Sequence, residues 1–203
     1  MFGKKSIKEA EAARQFIDEL LPSSLQAWPQ ICEKLVPTDS SFRNLGQDRA
    51  AAFEFALALL SIQMRALNNL LPADQAKRIE QHIFAVIRNP PREIIISPLL
   101  EDGTPKMTID EIGFFGDEER NPNADTTDYP EQSIALYRQV FESALEDGDT
   151  LTSGPAVLLG MRLGLITQQR QYRPEIIQPL FQYLTMLGGS WWKQCLNQYR
   201  ITL

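Results

Sequence analysis

The chain reads as a mainly α fold: a compact multi-helix domain of about six to eight helices, with a small β-hairpin around residues 92–112. Three observations predict this. Apolar residues recur at helical spacing through most of the 203 positions, where i, i+3, i+4 and i+7 share one helix face. Prolines and glycines divide the sequence into windows of helix length. Only one stretch, "REIIIS", is a β-branched run bounded by turn signals.

Ser6 and Glu9 have the spacing of a capping box ahead of Ile7, Ala10, Ala13, Ile17 and Leu20. Pro22 is expected to end that helix, since proline lacks the N–H that the helix interior needs. Leu25, Trp28, Cys32 and Leu35 carry the period on, with Pro29 kinking or restarting the element. "RAAAFEFALALLSIQMRALNNLLP", residues 49–72, has the look of a membrane span. Its longest stretch free of strongly polar side chains, between Glu54 and Gln63, is too short for the roughly 20 apolar residues a bilayer requires. Glu54, Ala58, Ser61, Arg65 and Asn68 form one narrow stripe, and apolar residues cover the rest. A central core helix follows, meeting water or a polar neighbour along that stripe. Beyond Pro72, Ala76, Ile79, Ile83 and Ile87 define the inner face of a second helix, which should fold back on the first as a hairpin.

Asp128 and Glu131 make another capping box, opening a helix through Tyr137, Phe141 and Leu145. Ser153 and Pro155 open a nearly all-apolar helix to about Gln168, in which Gly160 and Gly164 suit close helix packing. Pro174 begins the last helical region. There Trp191 falls in line with Leu184, Leu187 and Cys195 as an inward stripe, and Trp192 aligns with Leu196 and Tyr199 on a second one.

The exception to the helical pattern is the middle. From Glu101 to Glu131 there are ten acidic residues against Lys106 and Arg120, a local net charge of −8 in a chain whose total is −6. This is an acidic, mostly irregular insertion at about 99–130 within a single domain, 1–203. Basic residues gather toward the other end: Arg162, Arg170, Arg173, Lys193 and Arg200, interleaved with Tyr172, Trp191, Trp192 and Tyr199. Arginine and aromatics suit single-stranded nucleic acid, but they also suit protein interfaces and internal pairing. With an acidic overall balance, nucleic acid is the least favoured partner.

Catalytic signatures are sparse. No phosphate loop, dinucleotide fingerprint or nucleophile elbow occurs, His82 is the single histidine, and Cys32 and Cys195 lack metal-ligand spacing. Asn121, Asn123 and Asp125 alternate as in calcium loops, yet the sixth-position glycine is missing and Gln132 stands where the bidentate glutamate belongs. Glu142 and Glu146 share a helix face and, with Asp125 and Asp128, could serve a Mg²⁺- or Mn²⁺-dependent hydrolase. The expectation preferred over that one is a non-enzymatic interaction module of adaptor, chaperone-like or immunity type, without cofactor. Its contact residues would be Trp192, Leu196, Tyr199 and Arg200 on a helix face and Asp117, Glu118 and Glu119 in the acidic stretch. A protein partner is expected, a second copy of the chain included, and no nucleic acid or membrane. A carrier of a small apolar ligand between helices is a further alternative. Without a secretory h-region at residues 1–16, and with Phe2 where myristoylation needs glycine, the expected compartment is the reducing cytoplasm.

Overall fold

The computed structural model describes residues 4–88, 95–96, 107–108, 133–140, 153–166, 174–188 and 191–203. These are mostly helical. In chain order they form β1 (Lys5–Lys8), α1 (Glu9–Leu35), α2 (Phe42–Leu45), α3 (Arg49–Leu70), α4 (Ala73–Arg88), β2 (Ile95–Ile96) and β3 (Met107–Thr108). Then come α5 (residues 133–140), α6 (Ser153–Ile166), a 3₁₀ turn at Pro174–Ile176, α7 (Ile177–Leu187), α8 (Trp191–Gln198) and β4 (Tyr199–Thr202).

No helix among the described residues is long and apolar enough to cross a membrane. Instead α3 is the central core helix, packed by α1, α4, α6 and α8. Asp48 caps its start by accepting from the Ala51 N–H at 2.9 Å, and Leu71 turns extended ahead of Pro72. Phe53, Phe55, Leu57, Leu59, Leu60, Met64 and Leu67 are all buried on it. The next helix, α4, buries Ala76, Ile79, Ile83 and Ile87, the inner face that the spacing predicts. It packs chiefly on α1 and less on α3.

Helix α1 departs from expectation at both ends. It runs unbroken past Pro22 and Pro29 to Leu35. Pro22 removes one backbone donor, but the buried face continues through Leu20, Leu21, Leu25, Trp28, Ile31 and Cys32. Burial of about 1.5–3 kcal/mol per large apolar side chain, summed over that face, outweighs the roughly 3 kcal/mol that each of the two interior prolines costs. The Ser23 and Ser24 hydroxyls donate back to the Leu20 carbonyl, an arrangement that helps a helix bend. At the other end the capping box does not form. Ser6 belongs to β1, where it sits opposite Arg200 of β4, so the chain stays extended through Lys8 and the helix starts at Glu9 without a side-chain cap. Ala10, expected inward, is exposed.

The β1–β4 ribbon is parallel, in the register Lys5↔Tyr199 to Lys8↔Thr202, with Ile7 and Ile201 buried opposite each other. Within the 92–112 window, Ile95 and Ile96 pair antiparallel with Thr108 and Met107. At Gly160, a Cβ would lie 2.7 Å from Ile177 Cδ1. The end of the Ile177 side chain thus packs directly against Gly160 where α7 meets α6.

Candidate functional site

Glu54 is the one acid of α3, and Arg162 is the one charged residue of α6. The packing of α6 on α3 brings them together. Arg162 Nη1 donates to Glu54 Oε1 at 2.5 Å and to Ser133 Oγ at 2.9 Å. The Tyr137 hydroxyl donates to the other carboxylate oxygen, Oε2, at 3.1 Å. The Arg162 guanidinium lies 5.9 Å from the Tyr137 ring centroid. Glu54, Ser133 and Tyr137 are all buried, so three helices meet on one buried carboxylate. Such a charge is tolerated in a core only where opposite charge and hydrogen bonds surround it. Burial first, and the Glu54 charge second, push the Tyr137 phenol well above its ordinary value of 10.0.

One turn or more along the same stripe, Ser61 donates to the Ala58 carbonyl and Asn68 donates to Glu80 of α4 at 2.8 Å. Arg138 of α5 reaches that same Glu80, with Nη1 3.1 Å from Oε1. The polar stripe of α3 therefore faces polar neighbours: α5 and α6 near Glu54, and α4 near Asn68. A separate pair ties α4 to α1. Arg78 Nε and Nη2 donate to Glu9 Oε2 and Oε1, both at 2.9 Å, a bidentate fork. Those hydrogen bonds hold the Glu9 carboxyl below its ordinary value of 4.5.

Helix α8 is seated differently. Phe16 of α1 lies 5.1 Å from the Trp191 ring and 4.8 Å from the Trp192 ring, and the two tryptophans meet edge to face at 4.7 Å. Trp192 is 0% exposed, whereas Trp191 is half-buried and its Nε1 donates to Glu19 Oε2 at 2.6 Å. This reverses the expected orientation, in which Trp192, Leu196 and Tyr199 formed an outer stripe. The helical period cannot be carried from Leu187 to Trp191, because α7 ends at Leu187 with Gly188 as its C-cap and α8 is a separate helix that starts at Trp191. Leu196 and Tyr199 pack half-buried against the core, and Tyr199 and Arg200 belong to β4 rather than to a helix. Of the four residues expected on that face, Arg200 alone is exposed.

Arg162 likewise leaves the expected basic patch, since it is committed to Glu54. Arg170, Tyr172 and Arg173 lie outside the described residues. So do Asp117, Glu118 and Glu119 of the acidic stretch, and Asp125, Asp128, Glu142 and Glu146 of the hydrolase alternative. Among the described residues no three histidine, cysteine, aspartate or glutamate side chains gather as a metal site. Burial pushes the Cys32 and Cys195 thiols above their ordinary values, which keeps both protonated and poor nucleophiles. His82 sits half-buried at the margin of the α4 face, close enough to Glu9 to favour its charged form.

The Glu54 cluster was absent from the sequence expectations, although a signal existed: a lone acid and a lone base of opposite sign, each inside an apolar helix. With both carboxylate oxygens engaged, the cluster is built to hold α3, α5 and α6 in one register. No protein-family model, curated protein or solved structure matches the chain.

Proposed function

We propose that the chain is a non-enzymatic protein-interaction module that offers its acidic stretch, Glu101–Glu131, to a basic surface of a partner protein in a reducing compartment. The observation carrying this proposal is the double polar anchoring of α5, the helix that follows the stretch almost directly in sequence. Ser133 and Tyr137 are tied to the Glu54–Arg162 pair, and Arg138 to Glu80. A helix fixed at several points gives a neighbouring charged segment a rigid base, which lowers the ordering cost of binding. The free, buried thiols of Cys32 and Cys195 suit a reducing compartment. Burial of Trp192 withdraws the competing apolar surface.

The test compares affinity purification from native lysate using the wild type with the Asp117→Asn/Glu118→Gln/Glu119→Gln variant. Both are first confirmed folded by circular dichroism. Complementary charges give salt-sensitive association, so the wild type should hold a basic partner that about 0.5 M salt releases. The variant should bind that partner about tenfold more weakly, at about 0.2–1 kcal/mol for each of the three charges removed. A partner retained equally by both proteins would refute the proposal. Trp192→Ala is not a usable probe of contact, because that side chain never reaches the surface.

A further inference from the structure

The β1–β4 ribbon has two unlike faces. Side chains alternate along a strand, and Ile7 and Ile201 occupy the inner face. The outer face therefore carries Ser6 and Lys8 from one side and Arg200 and Thr202 from the other, in the register Ser6↔Arg200 and Lys8↔Thr202. Neither strand contains an acidic residue. Lys5, Ser6, Lys8 and Arg200 are exposed, the neighbouring Lys4 Nζ donates to the Leu196 carbonyl, and none of Lys5, Lys8 and Arg200 has an ion-pair partner among the described residues. The β1 edge of the ribbon meets no further strand among the described residues. Gln75 Nε2 donates to the Ile201 carbonyl on β4, whereas β1 pairs only with β4 among the described residues. Lysines along such an edge repel basic strands and discourage apolar ones, leaving an acidic extended segment as the matching occupant for strand addition.

We propose that this ribbon face docks the acidic Glu101–Glu131 stretch of a second copy of the chain, giving head-to-tail self-association. The charge pattern carries the choice of occupant: one chain contains both a segment of net charge −8 and an exposed cationic ribbon without acids. The pairing presupposes the contact role proposed above for the acidic stretch, and adds the surface it meets. Two different patches in contact make a heterologous interface, which continues beyond a dimer unless it closes into a ring.

Sedimentation velocity on the full chain tests this. In about 50 mM salt the wild type should gain mass with concentration, and in about 0.5 M salt it should return to monomer. Lys8→Glu/Arg200→Glu should stay monomeric throughout, and the milder Lys8→Gln/Arg200→Gln should associate more weakly than wild type. Asp117→Asn/Glu118→Gln/Glu119→Gln should weaken association as well. An equimolar mixture of Lys8→Glu/Arg200→Glu with the acidic-stretch variant should associate more than either variant alone, because the first keeps the full acidic stretch and the second keeps the ribbon. A wild type that is monomeric at every concentration overturns the pairing, as does a Lys8→Glu/Arg200→Glu variant that associates like wild type. Either result leaves the lysate comparison to decide the contact role of the acidic stretch independently.

Discussion

The Phe16–Trp191–Trp192 cluster and the Glu54–Arg162–Tyr137–Ser133 cluster perform the same task in different chemistry. Each joins helices far apart in sequence: α1 to α8 in the first, α3 to α5 and α6 in the second. The aromatic cluster relies on area and shape, which many side chains can approximate. Its Trp192 indole N–H has no hydrogen-bond partner among the described residues, so polar geometry contributes little at that ring. The polar cluster depends on donor direction and charge. Losing one member leaves a buried charge facing apolar surroundings. Apolar contacts thus set that the helices pack, while the carboxylate sets where along α3 the other two must stop.

This contrast can be broken at its strongest point by Glu54→Ala or Arg162→Ala. Each should cost about 3–5 kcal/mol of folding stability in urea denaturation. The double variant should cost clearly less than the sum, and simple additivity would mean that the two side chains do not act as a pair. Conservative changes sharpen the contrast next. Arg162→Lys, which replaces the planar guanidinium with a point charge, should cost about 2–3 kcal/mol as a charged hydrogen bond goes unmade. Trp192→Phe removes volume and an unpartnered donor, and should cost less than about 2 kcal/mol.

Tyr137→Phe should cost about 1.5 kcal/mol near neutral pH, through the lost bond to Glu54, and it carries a pH signature. The folded phenol titrates well above the ordinary value of 10.0. Above pH 10 the unfolded chain therefore releases this proton while the folded one retains it, and stability falls as pH rises. Denaturation midpoints between pH 9 and 11 should fall less steeply for Tyr137→Phe than for wild type. At the acid end the sign is opposite. Glu9 titrates below 4.5 when folded, so its contribution is present above that pH and fades as pH falls below it. Arg78→Gln should flatten that acid limb. The smallest change is Asp48→Ala, which removes the α3 cap and should cost about 1 kcal/mol, touching neither cluster. A larger loss would show that the start of α3 is coupled to Glu54, six residues on.

Helical periodicity alone identified α3 as a core helix and α4 by its Ala76, Ile79, Ile83 and Ile87 face, because a single element's burial repeats at a fixed spacing. It also placed Gly160 at a close helix contact. Inference failed where an element's fate depended on a distant partner. Pro22 and Pro29 looked like breaks because the packing that carries α1 through them comes from α3 and α4. Ser6 looked like a cap because β4, nearly 200 residues away in the chain, was not yet beside it. Trp191 and Trp192 were assigned opposite roles because one helical period was counted across Gly188, the C-cap of α7.

The sequence by itself determined the helical class, the unusually apolar α3 with its narrow polar stripe, and the segregation of acidic and basic charge. Each of these is local, written in spacing and composition. Only the tertiary structure decided that Glu54 meets Arg162, that Ser6 is strand rather than cap, that Trp192 is core, and that a cationic ribbon faces outward. Each of those depends on which elements come together, and that choice is made by the summed burial of many side chains rather than by any one stretch of chain.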